Sequence, residues 1–160
     1  GMQQRESLEE FPEDGWRRLI EINLTGAFVV SKYVARQMIE RRAGKIINVC
    51  SLQSELGRST IAPYAASKGG LKMLTKGMAV DWAKHNIQVN AIGPGYFITE
   101  MTRPLAEDEA FDSWLRDRTP AGRWGEPEEL VGAVLLFASP ASSYINGQIL
   151  YIDGGLMSAV

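Results

Sequence analysis

Tyr64 and Lys68 stand four residues apart in the stretch Tyr64-Ala65-Ala66-Ser67-Lys68. On a helix that spacing puts both side chains on one face. A phenol with a pKa of about 10 is a poor acid or base near neutrality. An ammonium beside it favours the phenolate and lowers that value. Tuned in this way, a tyrosine can exchange a proton with an alcohol or a carbonyl. Taken alone, the pair is more simply read as a surface helix with an exposed lysine and a half-buried tyrosine. Ser51 changes that weighting. It follows the β-branched run Lys45-Ile46-Ile47-Asn48-Val49 and so falls at the carboxyl end of an expected strand. In open α/β sheets this is the rim where ligands bind. A hydroxyl there can hydrogen-bond a substrate oxygen as charge develops on it. Gly93-Pro94-Gly95-Tyr96-Phe97-Ile98-Thr99 ends the next expected strand and brings exposed backbone groups and the Thr99 hydroxyl to the same rim.

The elements that must position these residues are legible as alternating helices and strands. Apolar positions at Trp16, Leu19, Ile20, Phe28, Val30, Val34 and Met38 predict a helix from about residue 14 to 42. Acids precede it and Gly44 ends it. Gly26 inside it predicts close packing against another backbone. A buried strand follows at 45–51, then a polar loop, then a second long helix from Pro63 to His85 with proline in its first turn. Residues 87–95 read as a strand, 96–125 as irregular with a short helix near 107–118, 126–139 as a helix and 148–155 as the last strand. This order predicts an α/β fold, a parallel sheet with helices on both faces. The chain divides into a polar N-terminal segment, 1–12, expected to be loop-like or frayed, and one domain, 13–160.

Composition removes several function classes. The 160 residues carry a net charge of −2, 45% hydrophobic and 22% charged residues, and one cysteine. No basic run suggests nucleic acid, and no apolar run reaches membrane-spanning length. One cysteine allows neither an internal disulfide nor a zinc cluster, and the expected compartment is the reducing cytoplasm. With one histidine, His85, and no Gly-x-Ser-x-Gly, a Ser-His-Asp hydrolase is excluded. Cys50 reads as a small core residue, His85 as a helix-end residue and Asp153-Gly154-Gly155 as a turn, with no metal expected. Trp114 and Trp124 read as packing. Arg103 and Arg123 could meet a substrate carboxylate, but read more simply as surface residues. Gly1 before Met2 reads as a tag remnant.

Six ordered stretches together carry a family resemblance: Ile22–Phe28, Gly44–Ser51, Tyr64–Leu71, Val89–Met101, Thr119–Leu130 and Ala141–Gly155. The chain resembles the C-terminal part of a short-chain dehydrogenase/reductase, a Rossmann-type doubly wound sheet. The stretch Ser51-Leu52-Gln53-Ser54-Glu55-Leu56-Gly57-Arg58 is similar to that of gluconate 5-dehydrogenases and related sugar-acid oxidoreductases. The 3-oxoacyl-carrier-protein reductases are similar too. The resemblance implies a catalytic tetrad of Asn23, Ser51, Tyr64 and Lys68. It implies hydride transfer between NAD or NADP and a small-molecule alcohol or ketone. Tyr64 would be the acid/base. Lys68 would lower its pKa and hold the nicotinamide ribose. Ser51 would polarise the substrate oxygen, and Asn23 would hold a relay water. Cofactor contacts are expected at Tyr64, Lys68, Pro94, Gly95, Phe97 and Thr99, the carboxamide being held by the Phe97 backbone and the Thr99 hydroxyl. It also implies a homodimer through the two long helices, or a homotetramer that adds the last helix and strand.

The family's Gly-rich phosphate turn, which precedes these elements, has no counterpart in the 160 residues. Two expectations follow: the first βαβαβ half is absent, and strand 45–51 has a bare edge that an oligomer or a rearranged segment covers. A misassigned gene start would restore the half. Otherwise the chain is a truncated form that folds and oligomerises without binding a dinucleotide.

Overall fold

The computed structural model describes residues 1–159. Helix α1 (Glu13–Ile20) starts after Pro12, with Glu13 and Asp14 in its first turn and Arg17 paired to both. It passes through a widened π turn (Glu21–Thr25) into α2 (Gly26–Arg41). The expected helix 14–42 is therefore continuous but carries a bulge at Asn23. The close approach expected at Gly26 lies instead at Gly70, where a Cβ would stand 2.8 Å from the Leu24 side chain. Helix α2 stops when Arg42 takes a left-handed conformation (φ 52°), and Gly44 opens β1 (Gly44–Val49).

Helix α3 (Ala62–Trp82) follows, with Pro63 in its first turn. It leads to β2 (Ile87–Pro94), then to α4 (Arg103–Ala106), α5 (Glu109–Arg118), α6 (Val131–Ala138) and β3 (Ile149–Ile152). All three strands are parallel, in the order β1-β2-β3. Gly44 faces Ile87 and Val49 faces Ile92, while Ala91 faces Ile149 and Pro94 faces Ile152. Both connections are crossovers, as parallel pairing requires.

The strand β2 is buried along nearly its whole length and anchors the core. Ile87 and Val89 pack with Met78 and Ala79 of α3 and with Met38 and Ile39 of α2. Ala91 packs with Cys50, Leu71 and Leu24. Side chains alternate between the faces of a strand. Accordingly Lys45, next to Ile46, turns the other way and reaches Ser142 (2.8 Å) beyond α6, which packs on β1 and β2. Strand β1 was expected to be buried. It is only half-buried, with Val49 53% exposed, because it pairs with β2 alone among the described residues and so forms the sheet edge.

Residues 1–12 are extended apart from a single 3-10 turn (Leu8–Glu10), and are pinned rather than frayed. The Glu6 N–H bonds the Thr60 carbonyl (3.1 Å), and Met2 is held at both backbone groups by Asn23.

Candidate active site

The three parallel strands end together, and the sequence-predicted residues gather at their carboxyl rim. Ser51 leaves β1 in an extended conformation and starts a short turn. Its Oγ accepts the Gln53 N–H (3.2 Å), and the Ser54 hydroxyl accepts the Ser51 N–H (3.3 Å). These reciprocal bonds fix the serine at the start of the turn. Helix α3 presents Tyr64 and Lys68 one turn apart, and the Lys68 ammonium stands 5.8 Å from the centre of the Tyr64 ring. One cavity of about 500 Å³ is bounded by Ser51, Tyr64, Lys68, Pro94, Gly95, Phe97 and Thr99. Asn23 is not among its walls.

Asn23 is buried in the π turn. Its Oδ1 accepts the Met2 N–H (2.8 Å), and its Nδ2 donates to the Met2 carbonyl (2.9 Å) and to the Ser67 hydroxyl (3.2 Å). Both amide protons are thus engaged. Ser67 in turn donates to the Tyr64 carbonyl (2.7 Å). The carboxamide therefore clamps the N-terminal segment to the helix that carries Tyr64.

Lys68 is 7% exposed, and its ammonium donates to the Val49 carbonyl (2.8 Å). An ammonium has three donors, so two remain for ligand. Burial pushes the Lys68 pKa down, the nearby Cys50 opposing. Burial also pushes the Tyr64 phenol up, while the Ser51 hydroxyl beside it pulls the other way. Lys68 is not among the causes of the Tyr64 shift. Desolvation of the phenol outweighs the rest, and the ammonium is tied to Val49. Tyr64 is consequently a protonated donor at neutral pH. Cys50 is a buried thiol whose pKa burial raises, and it packs in the core as expected.

The loop after β2 is a tight turn. The Thr102 hydroxyl donates to the Phe97 carbonyl, the Thr99 and Thr102 hydroxyls lie 2.9 Å apart, and Phe97 bridges to Gly125. Pro94, Gly95 and Phe97 are fixed at the cavity wall, and the exposed Thr99 hydroxyl shares its bond with Thr102.

A small cleft beside Ser51 and Tyr64 brings in residues that the sequence reading left out. Arg5, Arg58 and Gln53 line it. Arg58 donates to the Tyr96 hydroxyl (3.3 Å) and lies over the Phe111 ring at 4.4 Å. Burial, together with the like charge of Arg58, pushes the Arg5 pKa down. None of the ion pairs among the described residues includes Arg5, Arg58 or Lys68. Two guanidiniums without carboxylate partners, next to a proton donor, have free donors that can receive an anion. Arg123 is not part of it. Both its terminal nitrogens bind Glu129 (2.7 and 2.8 Å), and Arg123 together with the Glu126 N–H holds that carboxyl at about 2. Arg103 is exposed and outside the cleft. The sequence signal for Arg58 was its place at the end of Ser51–Arg58. Arg5 lay in a segment read as loop.

Of the remaining readings Trp124 resolves as packing and Asp153 as a turn, whereas Trp114 is 47% exposed and lines a neighbouring cavity. Trp124 is buried, its Nε1 donating to Asp112 (2.6 Å), and it meets Tyr96 edge-on. The Asp153 carboxylate accepts the Gly155 and Met157 N–H groups (2.9 and 2.8 Å), capping the turn after β3.

Comparison with known proteins adds a second line of observation. A family profile described as enoyl-(acyl carrier protein) reductase matches residues 1–157. The 5-keto-D-gluconate 5-reductase of Escherichia coli (strain K12) is 59% identical over 160 residues, covering 100% of this chain and 63% of that protein. The gluconate 5-dehydrogenase of Gluconobacter oxydans (strain 621H) is 56% identical over 156 residues, 98% of this chain and 61% of that one. A crystal structure of a gluconate 5-dehydrogenase from Burkholderia cenocepacia J2315, in complex with NADP and tartrate, superposes with a TM-score of 0.99 at 57% identity. It is matched over 100% of this chain and 63% of its own. The chain thus spans about three-fifths of the length of the relatives it matches. The matches take in Gly1, which therefore reads as family sequence and not as a tag remnant.

Proposed function

The chain belongs to the short-chain dehydrogenase/reductase family, and from that premise we propose that it carries the proton-transfer and substrate-binding part of an NAD(P)-dependent oxidoreductase acting on a sugar acid such as gluconate or its 5-keto form. The observation that carries this reading is the convergence of Ser51, a protonated Tyr64 and two unpaired arginines on one rim.

The residues fit the nicotinamide end of the cofactor. The cavity of about 500 Å³ has the two free Lys68 donors on one wall and the Pro94–Thr99 turn on the other. Lys68 would hold the ribose, and Phe97 and Thr99 the carboxamide. When bound, the nicotinamide supplies or accepts the hydride. The chain handles the proton. A substrate carbonyl set against the Ser51 hydroxyl takes a hydrogen bond that strengthens as its oxygen gains charge, and Tyr64 gives that oxygen a proton. In the reverse direction the phenol must first lose its proton, and the Tyr64 phenolate then takes the proton from the alcohol. Arg58 and Arg5 receive the carboxylate and fix which carbon faces Tyr64. The complex of the Burkholderia relative with NADP and tartrate supports both the cofactor and an acidic, hydroxylated substrate. In this reading residues 13–160 act as one domain, the protein is a homodimer or homotetramer, and its setting is cytoplasmic, where the lone Cys50 stays reduced.

A second reading is an oligomer that binds no dinucleotide. Fluorescence titration with NADPH, paired with a 5-keto-D-gluconate reduction assay, separates the two. The first reading expects saturable binding and turnover that Tyr64→Phe lowers by about 100-fold or more. No saturable binding selects the second, and a Tyr64→Phe rate equal to wild type rejects the role of Tyr64.

A further inference from the structure

Among the described residues one buried side-chain polar atom has no hydrogen-bond partner, Oε1 of Gln53. Burying a carbonyl oxygen without a donor costs about 1–3 kcal/mol. Such atoms are rare in native structures and call for an explanation. Its location supplies one. Gln53 is two residues beyond Ser51 and lines the small cleft with Ser51, Tyr64 and Arg58. It also lines a neighbouring cavity of about 410 Å³ with Arg58, Tyr96 and Trp114. The side chain therefore borders the same cleft as the proton donor and the unpaired guanidiniums. In the proposed complex that cleft is crossed by the carbon chain joining the reacting carbon to the carboxylate.

We propose that Gln53 is a specificity-determining residue that reads a hydroxyl of the substrate between its reacting carbon and its carboxylate. This rests on the sugar-acid reading above. A hydroxyl group on that chain supplies the donor that Oε1 lacks. The terminal torsion of a glutamine is broad and soft, so the carboxamide turns toward the cleft without disturbing its stem. Its backbone is occupied independently, the Gln53 N–H being the donor that fixes Ser51. The unmet carbonyl thus disfavours the ligand-free arrangement, and the hydroxylated substrate relieves it. A deoxygenated acid of the same length leaves it unmet and is discriminated against.

The test uses the 160-residue chain and needs no turnover. Binding of D-gluconate and of hexanoate, equal in carbon number and in carboxylate but without hydroxyls, is measured by ligand-observed NMR. Wild type, Gln53→Met and Arg58→Met are compared. The expected result is a preference for gluconate that falls about tenfold in Gln53→Met, with hexanoate unchanged. Thermal stability of that variant should be equal or raised, because an unmet buried carbonyl is gone. Arg58→Met should weaken both acids alike. If gluconate binds wild type and Gln53→Met equally well, the role of Gln53 is wrong and the sugar-acid reading stands. If gluconate binds neither, or no better than hexanoate to wild type, both fail. A variant that loses both acids equally and melts earlier assigns Gln53 a structural role instead.

Discussion

At the residue scale, the pair Tyr64 and Lys68 is where sequence logic and environment part. Four-residue spacing places the two on one helix face, and the structure holds them there with the ammonium 5.8 Å from the ring centre. Spacing carries no information on dielectric. Both groups are buried, so each leans toward its neutral form: the phenol above its ordinary value of 10.0, the ammonium below its ordinary 10.5. The linkage sign for Tyr64 follows. Its folded pKa lies above its unfolded value, so it stabilises the fold fully below about pH 10 and ceases to do so as pH rises through the folded value. Lys68 has the opposite sign, its folded pKa being depressed, and favours the fold only as pH rises past that value. The ultraviolet phenolate titration of the chain should therefore have a component later than that of an ordinary tyrosine. Tyr151, whose hydroxyl donates to Glu55 (2.9 Å) and whose pKa burial also raises, contributes to it too. Tyr64→Phe should shrink the late component without abolishing it and lessen the alkaline loss of thermal stability, and an unchanged late component would assign it to Tyr151 alone.

At the element scale, the motifs that carried the resemblance turn out to have separate physical reasons. Ser51, Tyr64 and Lys68 were legible because strand ends and helix faces follow from periodicity. The polar residues inside Val89–Met101 and Ala141–Gly155 were not, because hydrogen-bonding partners distant in sequence leave no local pattern. Asn90 is 1% exposed; its Nδ2 donates to the Ile145 carbonyl (2.8 Å) and its Oδ1 accepts the Gln148 N–H (2.9 Å). Asn146 accepts the Val89 N–H in return (2.7 Å). These amides dock the approach to β3 onto β2, and so set the rim at which Gly95 and Asp153 meet. Gly93 serves the same junction, since a Cβ there has no room beside the Tyr151 ring. Asn90→Ala would strand two partly buried backbone groups, the Ile145 carbonyl and the Gln148 N–H, each costing up to about 1–3 kcal/mol. Urea unfolding should show a loss of about 2–4 kcal/mol, with the midpoint falling and its slope kept. A loss under about 1 kcal/mol would mean that water replaces the amide. The π turn was illegible for a related reason. Ile22–Phe28 has a continuous helical period, and the bulge comes from Asn23 reaching across to Met2 and Ser67.

At the scale of the whole molecule, the described surface leaves apolar faces that a lone chain does not account for. On α2, Val30 is 64% and Tyr33 57% exposed, with Phe28 and Val34 beside them; on α3, Val80 is 78% exposed, with Met73 two turns back. Helices α2 and α3 pack against each other, and exposed apolar residues on neighbouring helices mark association. The patch is separate from the substrate rim, which leaves the cavity open when it is covered. In the homodimer proposed above a second copy would cover these residues, because a two-fold axis brings the same apolar surface onto itself and needs no complementary charge. The bare edge of β1 lies elsewhere, with Val49 exposed at the rim end, and a partner on α2 and α3 does not cover it. Two modes of self-association are therefore separable. Sedimentation velocity of the chain should show a dimer, and the double variant Val30→Glu, Tyr33→Glu should be monomeric, since it places charge at the patch on both protomers without touching the core. Lys45 and Lys68 keep their partners in that variant, so gluconate binding should survive. A wild-type chain that stays monomeric at tens of micromolar would overturn the α2–α3 dimer. A double variant that still dimerises would move the contact to the β1 edge or to the exposed Val131, Val134 and Leu135 of α6.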